Sequence, residues 1–463
     1  MRKLYKLKEK LKEKNINKKP LRIRKNFSND NIDKNQNYDN DRFSTLDDLK
    51  IIGITGSTGK STVCYIVHEY LKKLGYRSCL YSSCKVDSPA TFISPNSGVE
   101  ISFKSEDDLL DIIEACEAYK TDYLVLEVNE SNINKGITKD IPFTLKALTN
   151  LIPEHNLAHF TKEEYVNIKK SFFNKDTCKH LIGYQGYDKE IFNELVNINK
   201  DNTFTYSSEY ISKLNEIDID TFDMLLNELD VNLHGMNFGV KTKEEKLQFV
   251  TNLMFGYNAL NLVCAISIIK ALDKSLFNKE VFDKLIKDLK VPGRSEVFYK
   301  DEGLIIVDTH MTKALENLKE LRSKGLIDNI KVVVGSIGHG YVNWSDDFKN
   351  EEYIKRSHKV REYAMRKLDD VDYVYLTESD SGKESALDIC NELSSYLNEN
   401  VDRKIYTNRK EAIEKAVKSL KKRDALLITG RGNRVLLCDG ENHIKLLKDS
   451  DVVKEALSEL KGE

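Results

Sequence analysis

Residues 53–62 read "GITGSTGKST", a glycine-rich run that closes on Lys-Ser-Thr. These residue types together suit the binding of a polyphosphate. Glycines let backbone N–H groups approach an anion, a lysine neutralises it, and a hydroxyl reaches the accompanying divalent cation. The usual spacing is Gly, four residues, then Gly-Lys-Ser/Thr. Counting back from Gly59, the first glycine should fall at position 54, which is Ile54; the glycines stand at Gly53 and Gly56 instead. The run is either the loop of a different NTPase family or a chance glycine turn.

The flanking sequence decides for the loop. Residues 49–55, "LKIIGIT", read as a short apolar strand. "KSTVCYIVHEYLKKLGY" follows with apolar residues at helical spacing, and Gly75 is a plausible stop. A glycine loop between a buried strand and a helix start places N–H groups and the helix dipole on the anion. In that setting Gly56, Ser57, Thr58 and Gly59 wrap the phosphates and Lys60 reaches the terminal ones. Ser61 or Thr62 holds Mg²⁺.

The remaining chain supplies elements to carry such a site. Apolar strands are expected at 122–128 ("DYLVLEV", with Glu127 near its tip) and 145–151 ("LKALTNL"). A second alternating series begins after "VPGRSEVF": "GLIIVDTH", "KVVVGSIG", "VDYVYLT" and "DALLITGRG". Between the two series lies a strongly apolar helix, "FGYNALNLVCAISIIKAL". Strands alternating with helices predict an α/β fold with mostly parallel sheets and ligands at their carboxyl ends. The expected division is a basic, Asn-rich segment over 1–45, a central ATP-binding P-loop-type domain over 46–292, and a Rossmann-like α/β domain over 293–463.

Composition narrows the function classes. The 463 residues carry 72 Lys/Arg against 74 Asp/Glu, a net charge of -2. That balance argues against a nucleic-acid footprint over the whole protein. Eight scattered cysteines form no CxxC pair, which fits reduced thiols rather than zinc or disulfides. No apolar run approaches the ~20 residues needed to span a bilayer, and the start has no secretory core, so a cytoplasmic protein is expected. Up to Phe27 there are twelve Lys/Arg against two Glu, then a stretch rich in Asn and Asp. It reads as a mobile tail, partly helical, whose basic arm can touch anionic surfaces.

The order of motifs is more specific than any one of them. "TGSTGKST", "LEVNES", "LTNLIPEHNLAHF", "EEYVNIKKSFF", "GYNALN", "PGRSE", "VDTHMTKAL" and "LLITGRGN" follow one another. This succession resembles the Mur ligase superfamily, which comprises peptidoglycan peptide ligases and folylpolyglutamate synthetases, and within it the tripeptide synthetase branch. The resemblance covers about residues 49–440. That family's loop is Gly-x-x-Gly-Lys-Thr/Ser, which Gly56, Gly59, Lys60 and Ser61 match.

The resemblance implies a ligation dependent on ATP and Mg²⁺. A substrate carboxylate becomes an acyl phosphate, an amino acid's amine attacks it, and an amide forms. It implies Glu127, His155 and Ser61 as metal ligands, with His155 and Lys60 among the catalytic groups. Lys169 is implied as a catalytic lysine carrying a carbamate, with Lys170 one residue out of register. Asn258 and Asn261 are implied on the adenine side, Arg294 and Asp308 at the nucleotide between the domains, and His310 as a further family histidine. Taken alone, each has a plainer reading: a strand-end carboxylate, a helix cap, a surface lysine, a salt-bridge arginine.

The departures from the pattern concern substrates. About fifty polar residues precede the loop, so a UDP-sugar domain of the usual kind is not expected. The Asp-Asn-Pro-Arg that selects diaminopimelate is replaced in the region of "LTESDSGKES", where Lys383 could stand in as a point charge. The final Gly-Lys-Gly-His-Glu reads "GRGNR". Three functions fit: a Mur-type amide ligase of cell-wall peptide synthesis, a folylpolyglutamate or poly-γ-glutamate ligase, and a nucleotide-binding protein without catalysis.

Overall fold

The computed structural model describes residues 49–88, 92–93, 100–101, 103, 105–152, 160–174, 178–338, 351–439 and 442–462. The expectations for the N-terminal arm and for His155 fall outside the described residues.

Two sheets organise the chain. The first has ten strands. From one edge they are Lys246–Thr251, Gly235–Thr242, Met224–Asn232, Thr203–Ser208, Lys179–Gly183, Leu145–Leu148, Lys50–Thr55, Tyr123–Glu127, Ser78–Tyr81 and Val86–Asp87. Of its nine neighbouring pairs, three toward the edges run antiparallel: Met224–Asn232 with Gly235–Thr242, the latter with Lys246–Thr251, and Ser78–Tyr81 with Val86–Asp87. All other neighbours are parallel. The second sheet has six strands, ordered Glu296–Lys300, Gly303–Asp308, Asp424–Thr429, Asn329–Val334, Tyr373–Thr377 and Asp402–Tyr406. Its first pair is antiparallel and the others are parallel. The fold is thus the expected α/β class with mostly parallel sheets.

Period-2 alternation splits each sheet between two cores. Ile52 and Ile54 enter one cluster with the helices Lys60–Lys73, Gly256–Leu272 and Lys279–Lys287. Ile51 enters another, with Glu106–Ala118 and Lys189–Ile198. In the second sheet Leu304 and Ile306 face one cluster, Ile305 and Val307 the other. Helices therefore cover both faces of both sheets.

The apolar helix read from the sequence as lying between the two series belongs to the first of these cores. Residues 258–269 of Gly256–Leu272 are all buried, and it packs against the loop helix. Its entrance belongs to the other body. Met254 and Phe255 are fully buried in a cluster with Leu304, Ile306 and Ala314 of the second sheet and its helix. Phe255 holds φ at 77°, a region that costs a non-glycine residue about 1–3 kcal/mol. The surrounding core stabilises it there.

One trio has metal-like spacing: His68, Glu69 and Asp87. Lysines fill it. Lys72 and Lys85 reach Asp87 at 3.0 and 3.1 Å, and His68 Nε2 lies 3.1 Å from it. Burial pushes Asp87 up, but the bond to His68 and the two lysines outweigh this and hold it well below the usual carboxylate range. Burial also lowers His68. Both signs agree. A depressed Asp contributes stability above its unfolded pKa, near 4, that is lost as pH falls; a depressed His adds a loss below about 6.5. Asp87→Asn should flatten the dependence of melting temperature on pH at the acid end. A slope like that of the wild type would refute the network's role.

Candidate active site between the two sheets

Parallel register brings the functional side chains together. The loop strand Lys50–Thr55 lies between Tyr123–Glu127 and Leu145–Leu148, with Ile54 opposite Glu127 and Thr55 opposite Leu148. Three carboxyl ends therefore converge on the glycine loop, as expected for an open α/β sheet.

The loop is clamped from behind. Asn150 Oδ1 accepts from the Thr58 N–H at 3.0 Å, and its Nδ2 donates to Thr58 O and Oγ1. Thr149 Oγ1 donates to Thr58 O at 2.6 Å. The Ser57 hydroxyl is held by Tyr165 OH at 2.9 Å and by the Ile152 N–H at 2.7 Å. The side chains of Ser57 and Thr58 are thus occupied in bracing the loop. The first helical bond runs from Val63 N to Gly59 O, which leaves the amides of residues 60–62 ahead of it at the helix start.

The glycines are required by geometry. Gly56 has φ +142°, and a Cβ there would lie 2.0 Å from Thr149 Oγ1. Gly59 has φ +81°, and a Cβ would lie 2.2 Å from Asn261 Oδ1. Gly59→Ala combines a backbone penalty with a clash. It should cost about 2 kcal/mol of stability, and Gly59→Ala/Asn261→Ala should recover part of it. Thermal unfolding decides: a single variant as stable as the wild type would show that the loop tolerates a side chain.

Lys60 Nζ donates to Gly56 O at 2.9 Å and Ser57 O at 3.1 Å, so the ammonium lies along the loop. Ser61 Oγ pairs with Ser83 Oγ at 2.9 Å. Glu127 is held by Ser82 Oγ at 2.5 Å and by the Ser83 N–H at 2.8 Å. Burial pushes Glu127 up, but Lys60, the Ser82 hydroxyl and Arg294 prevail and keep it below the ordinary range. It is an anion beside the Ser83 and Ser61 hydroxyls, hard oxygens of the kind Mg²⁺ takes.

Lys169 is 1% exposed and Lys170 is the surface lysine, paired with Glu194. Structure therefore puts the first of the two lysines at the loop, its Nζ 3.1 Å from Thr55 Oγ1 and 3.2 Å from Glu130 Oε2. Burial and then Lys60 lower its pKa to about 7, against the pull of Glu130. Burial raises Glu130, but Lys169 and Lys60 overcome this and hold it down to about 2.

The second sheet reaches in through one arginine. Arg294 donates through one terminal nitrogen to Ser61 Oγ (3.2 Å) and Ser83 Oγ (3.1 Å), and through the other to Thr309 Oγ1 (2.5 Å) and Gly293 O (3.1 Å). Asn433 Nδ2 adds a second tie, to Cys84 O at 2.7 Å. Asp308 is buried, and Oδ2 accepts from Ser295 N and Oγ at 2.9 and 2.7 Å while Oδ1 accepts from His310 N at 2.7 Å. Burial raises its pKa. Tyr257 OH lies 3.4 Å away, which links Asp308 to the first turn of the apolar helix. His310 precedes the helix Met311–Ser323 as its N-cap residue.

Asn258 and Asn261 are both buried. Asn258 donates to Met254 O at 2.8 Å and Asn261 to Asn258 Oδ1 at 3.1 Å. Many of these groups border one cavity of about 580 Å³, among them Lys60, Glu127, Glu130, Asn261, Arg294 and Asp308. Beyond it, Asp380 is fully buried, with Arg431 at 2.7 Å and Arg434 at 3.1 Å. The altered "SDSG" and "GRGNR" segments thus meet through an ion-pair cluster.

Sequence reasoning passed over Glu130, Ser83, Thr149 and Asn433. Glu130 was visible as a second carboxylate three residues past Glu127. Ser83 and Asn433 carry no local signal, because their roles come from contacts between distant segments.

A nucleotide triphosphate with Mg²⁺ fits this site: glycines that admit no Cβ, free-standing helix-start amides, a lysine, an arginine and carboxylates around one cavity. Comparison with known proteins agrees. Residues 54–269 match the Mur ligase middle domain, and residues 293–432 match the Mur ligase glutamate ligase domain. The chain is 25% identical over 422 residues to UDP-N-acetylmuramoyl-L-alanyl-D-glutamate–2,6-diaminopimelate ligase of Wolinella succinogenes, covering 90% of this chain and 86% of that protein. Its fold is shared with the MurF ligase of Thermotoga maritima in complex with ADP (TM-score 0.58, 18% identity, 89% and 80% of the chains). It is shared also with E. coli FolC in complex with DHPP and ADP (TM-score 0.57, 16% identity, 89% of each chain). With both catalytic domains matched and the loop, carboxylates and spanning arginine assembled around one cavity, the chain belongs to the Mur ligase superfamily of ATP-dependent, ADP-forming amide ligases.

Proposed function

We propose that this protein joins an amino acid to a carboxylate substrate in cell-wall peptide synthesis, working in the cytoplasm. The observation that carries the reading is Arg294, which crosses from the second unit to Ser61 at the loop. The names of the relatives support the pathway. ATP, when bound with Mg²⁺, supplies the phosphoryl group that converts the carboxylate to an acyl phosphate.

The protein's part is positioning and electrostatics. The helix-start amides and Lys60 hold the phosphates. Ser61 and Glu127 hold the cation, with His155 assigned there by the family pattern. Arg294 neutralises charge from the opposite wall and keeps the two units closed on the reacting group. Asp308 braces that wall through Ser295 and the His310 amide. Asn258 and Asn261 shape the cavity floor against Gly59, and their internal hydrogen bonds favour shaping over reading the adenine. Closure excludes water from an acyl phosphate that would otherwise hydrolyse.

The resemblance also implies a carbamate on Lys169. The lysine's burial beside the loop supports a role in the site, whereas its ion pair with Glu130 weighs against the adduct. The described residues contain no helix long and apolar enough to cross a membrane.

A folylpolyglutamate-type reaction is the second reading, favoured by the changed cluster around Asp380. Lys60 standing beside a buried carboxylate set bears against a non-catalytic protein. ADP release, followed with a panel of amino acids and of carboxylates that includes UDP-N-acetylmuramoyl-dipeptide, should depend on an amino acid. Stimulation by a folate with glutamate would favour the second reading. ATP binding without any amino-acid-dependent turnover would overturn both.

A further inference from the structure

Glu130 borders the same cavity as Glu127, and its carboxylate lies 3.2 Å from Lys169 Nζ. Both side chains are almost fully buried. The turn that aims Glu130 is locked by a reciprocal cap: Asn129 Oδ1 accepts from Asn132 N at 2.9 Å, and Asn132 Oδ1 accepts from Asn129 N at 3.3 Å. Lys169 Nζ is tied on its other side to Thr55, the last residue before the loop. We propose that Glu130 is a built-in carboxylate of the cation site and that Lys169 is its unmodified counter-ion, so that this protein works without a lysine carbamate.

This inference rests on the nucleotide reading and concerns how its metal subsite acquires negative charge. A carbamate forms when a neutral amine nitrogen attacks CO₂: an N–C bond forms, a proton leaves, and an anion replaces the cation. Here that new anion would face Glu130, whose own side chain is almost fully buried. Two carboxylates in such contact resist joint ionisation, and Glu130 would lose the cation that compensates its burial. The charge a carbamate would bring is already encoded in the chain. Because it is encoded, it needs no CO₂ and no equilibrium with bicarbonate.

The test uses the full-length protein. Incubated with ¹³C-bicarbonate, the wild type should show no carbamate carbon by NMR and no CO₂ adduct on Lys169. Its ADP formation should be unchanged after dialysis in CO₂-free buffer. In parallel, Mn²⁺ is titrated by electron paramagnetic resonance in the presence of ADP. Glu130→Gln should weaken Mn²⁺ binding about tenfold, and Glu130→Asp should recover part of the loss, which a shape-filling role would not produce. A carbamate on wild-type Lys169, or Mn²⁺ binding by Glu130→Gln equal to that of the wild type, would overturn the proposal and leave the ligase reading standing. Failure of the wild type to bind ADP with Mn²⁺ would instead remove the nucleotide reading, and this inference with it.

Discussion

Lys60→Ala should reduce ADP formation by about a thousandfold while leaving the fold intact. Removing one preorganised donor from a developing oxyanion typically costs a hundred- to a thousandfold. Lys60 carries a full charge besides. Among the described residues its ammonium hydrogen-bonds to two loop carbonyls, Gly56 O and Ser57 O, so its removal opens no apolar cavity. Stability should change by no more than ~1 kcal/mol. The measurements are steady-state ADP release and thermal unfolding on the same preparation. Turnover at the wild-type level with a native transition would sink the phosphate-loop assignment.

Arg294→Ala should lower the rate of ADP formation by about a hundredfold, with a smaller effect on nucleotide affinity. The arginine joins Ser61 and Ser83 on one wall to Thr309 and Gly293 on the other. Its loss removes charge from the reacting group and a tie between the two units. Affinity should suffer less because the loop amides and Lys60 stay in place. Arg294→Lys should not rescue, since one ammonium cannot make the forked contacts of a guanidinium. Calorimetric titration with ADP, set beside the rate, separates the two effects. If both remain at wild-type values, the arginine merely fastens the units and takes no part in the chemistry.

Sequence and structure agree where the signal is local. The strand before the loop, its helix and the second α/β series were legible because period-2 and period-3.6 patterns are set by neighbouring residues. Register then did what no single stretch could: it put Glu127 opposite Ile54, two positions before the loop's first residue, Gly56. Other features escaped for physical reasons. The antiparallel edge Met224–Thr251 was not legible because charged residues such as Glu228, Asp230, Lys241 and Lys246 interrupt its apolar pattern. Lys169 and Lys170 could be distinguished only by burial. Glu130 sat within a quoted motif, but its meaning depends on a helix some forty positions away. The ion-pair cluster at Asp380 likewise unites segments that the sequence shows only as departures from a pattern.

The placement of Met254 and Phe255 has a consequence for any attempt to divide this protein. Along the chain the natural scissors point is the turn at Gly293, yet two residues just ahead of the apolar helix already belong to the second core. A cut at the turn would leave the C-terminal fragment with a hole where Phe255 belongs, and the N-terminal fragment with an uncovered aromatic side chain on a strained backbone. Swapping the second unit for that of a relative meets the same obstacle, since a foreign core must accept this plug. Chimeras should therefore keep the apolar helix with the first unit and have the plug and its socket exchanged together.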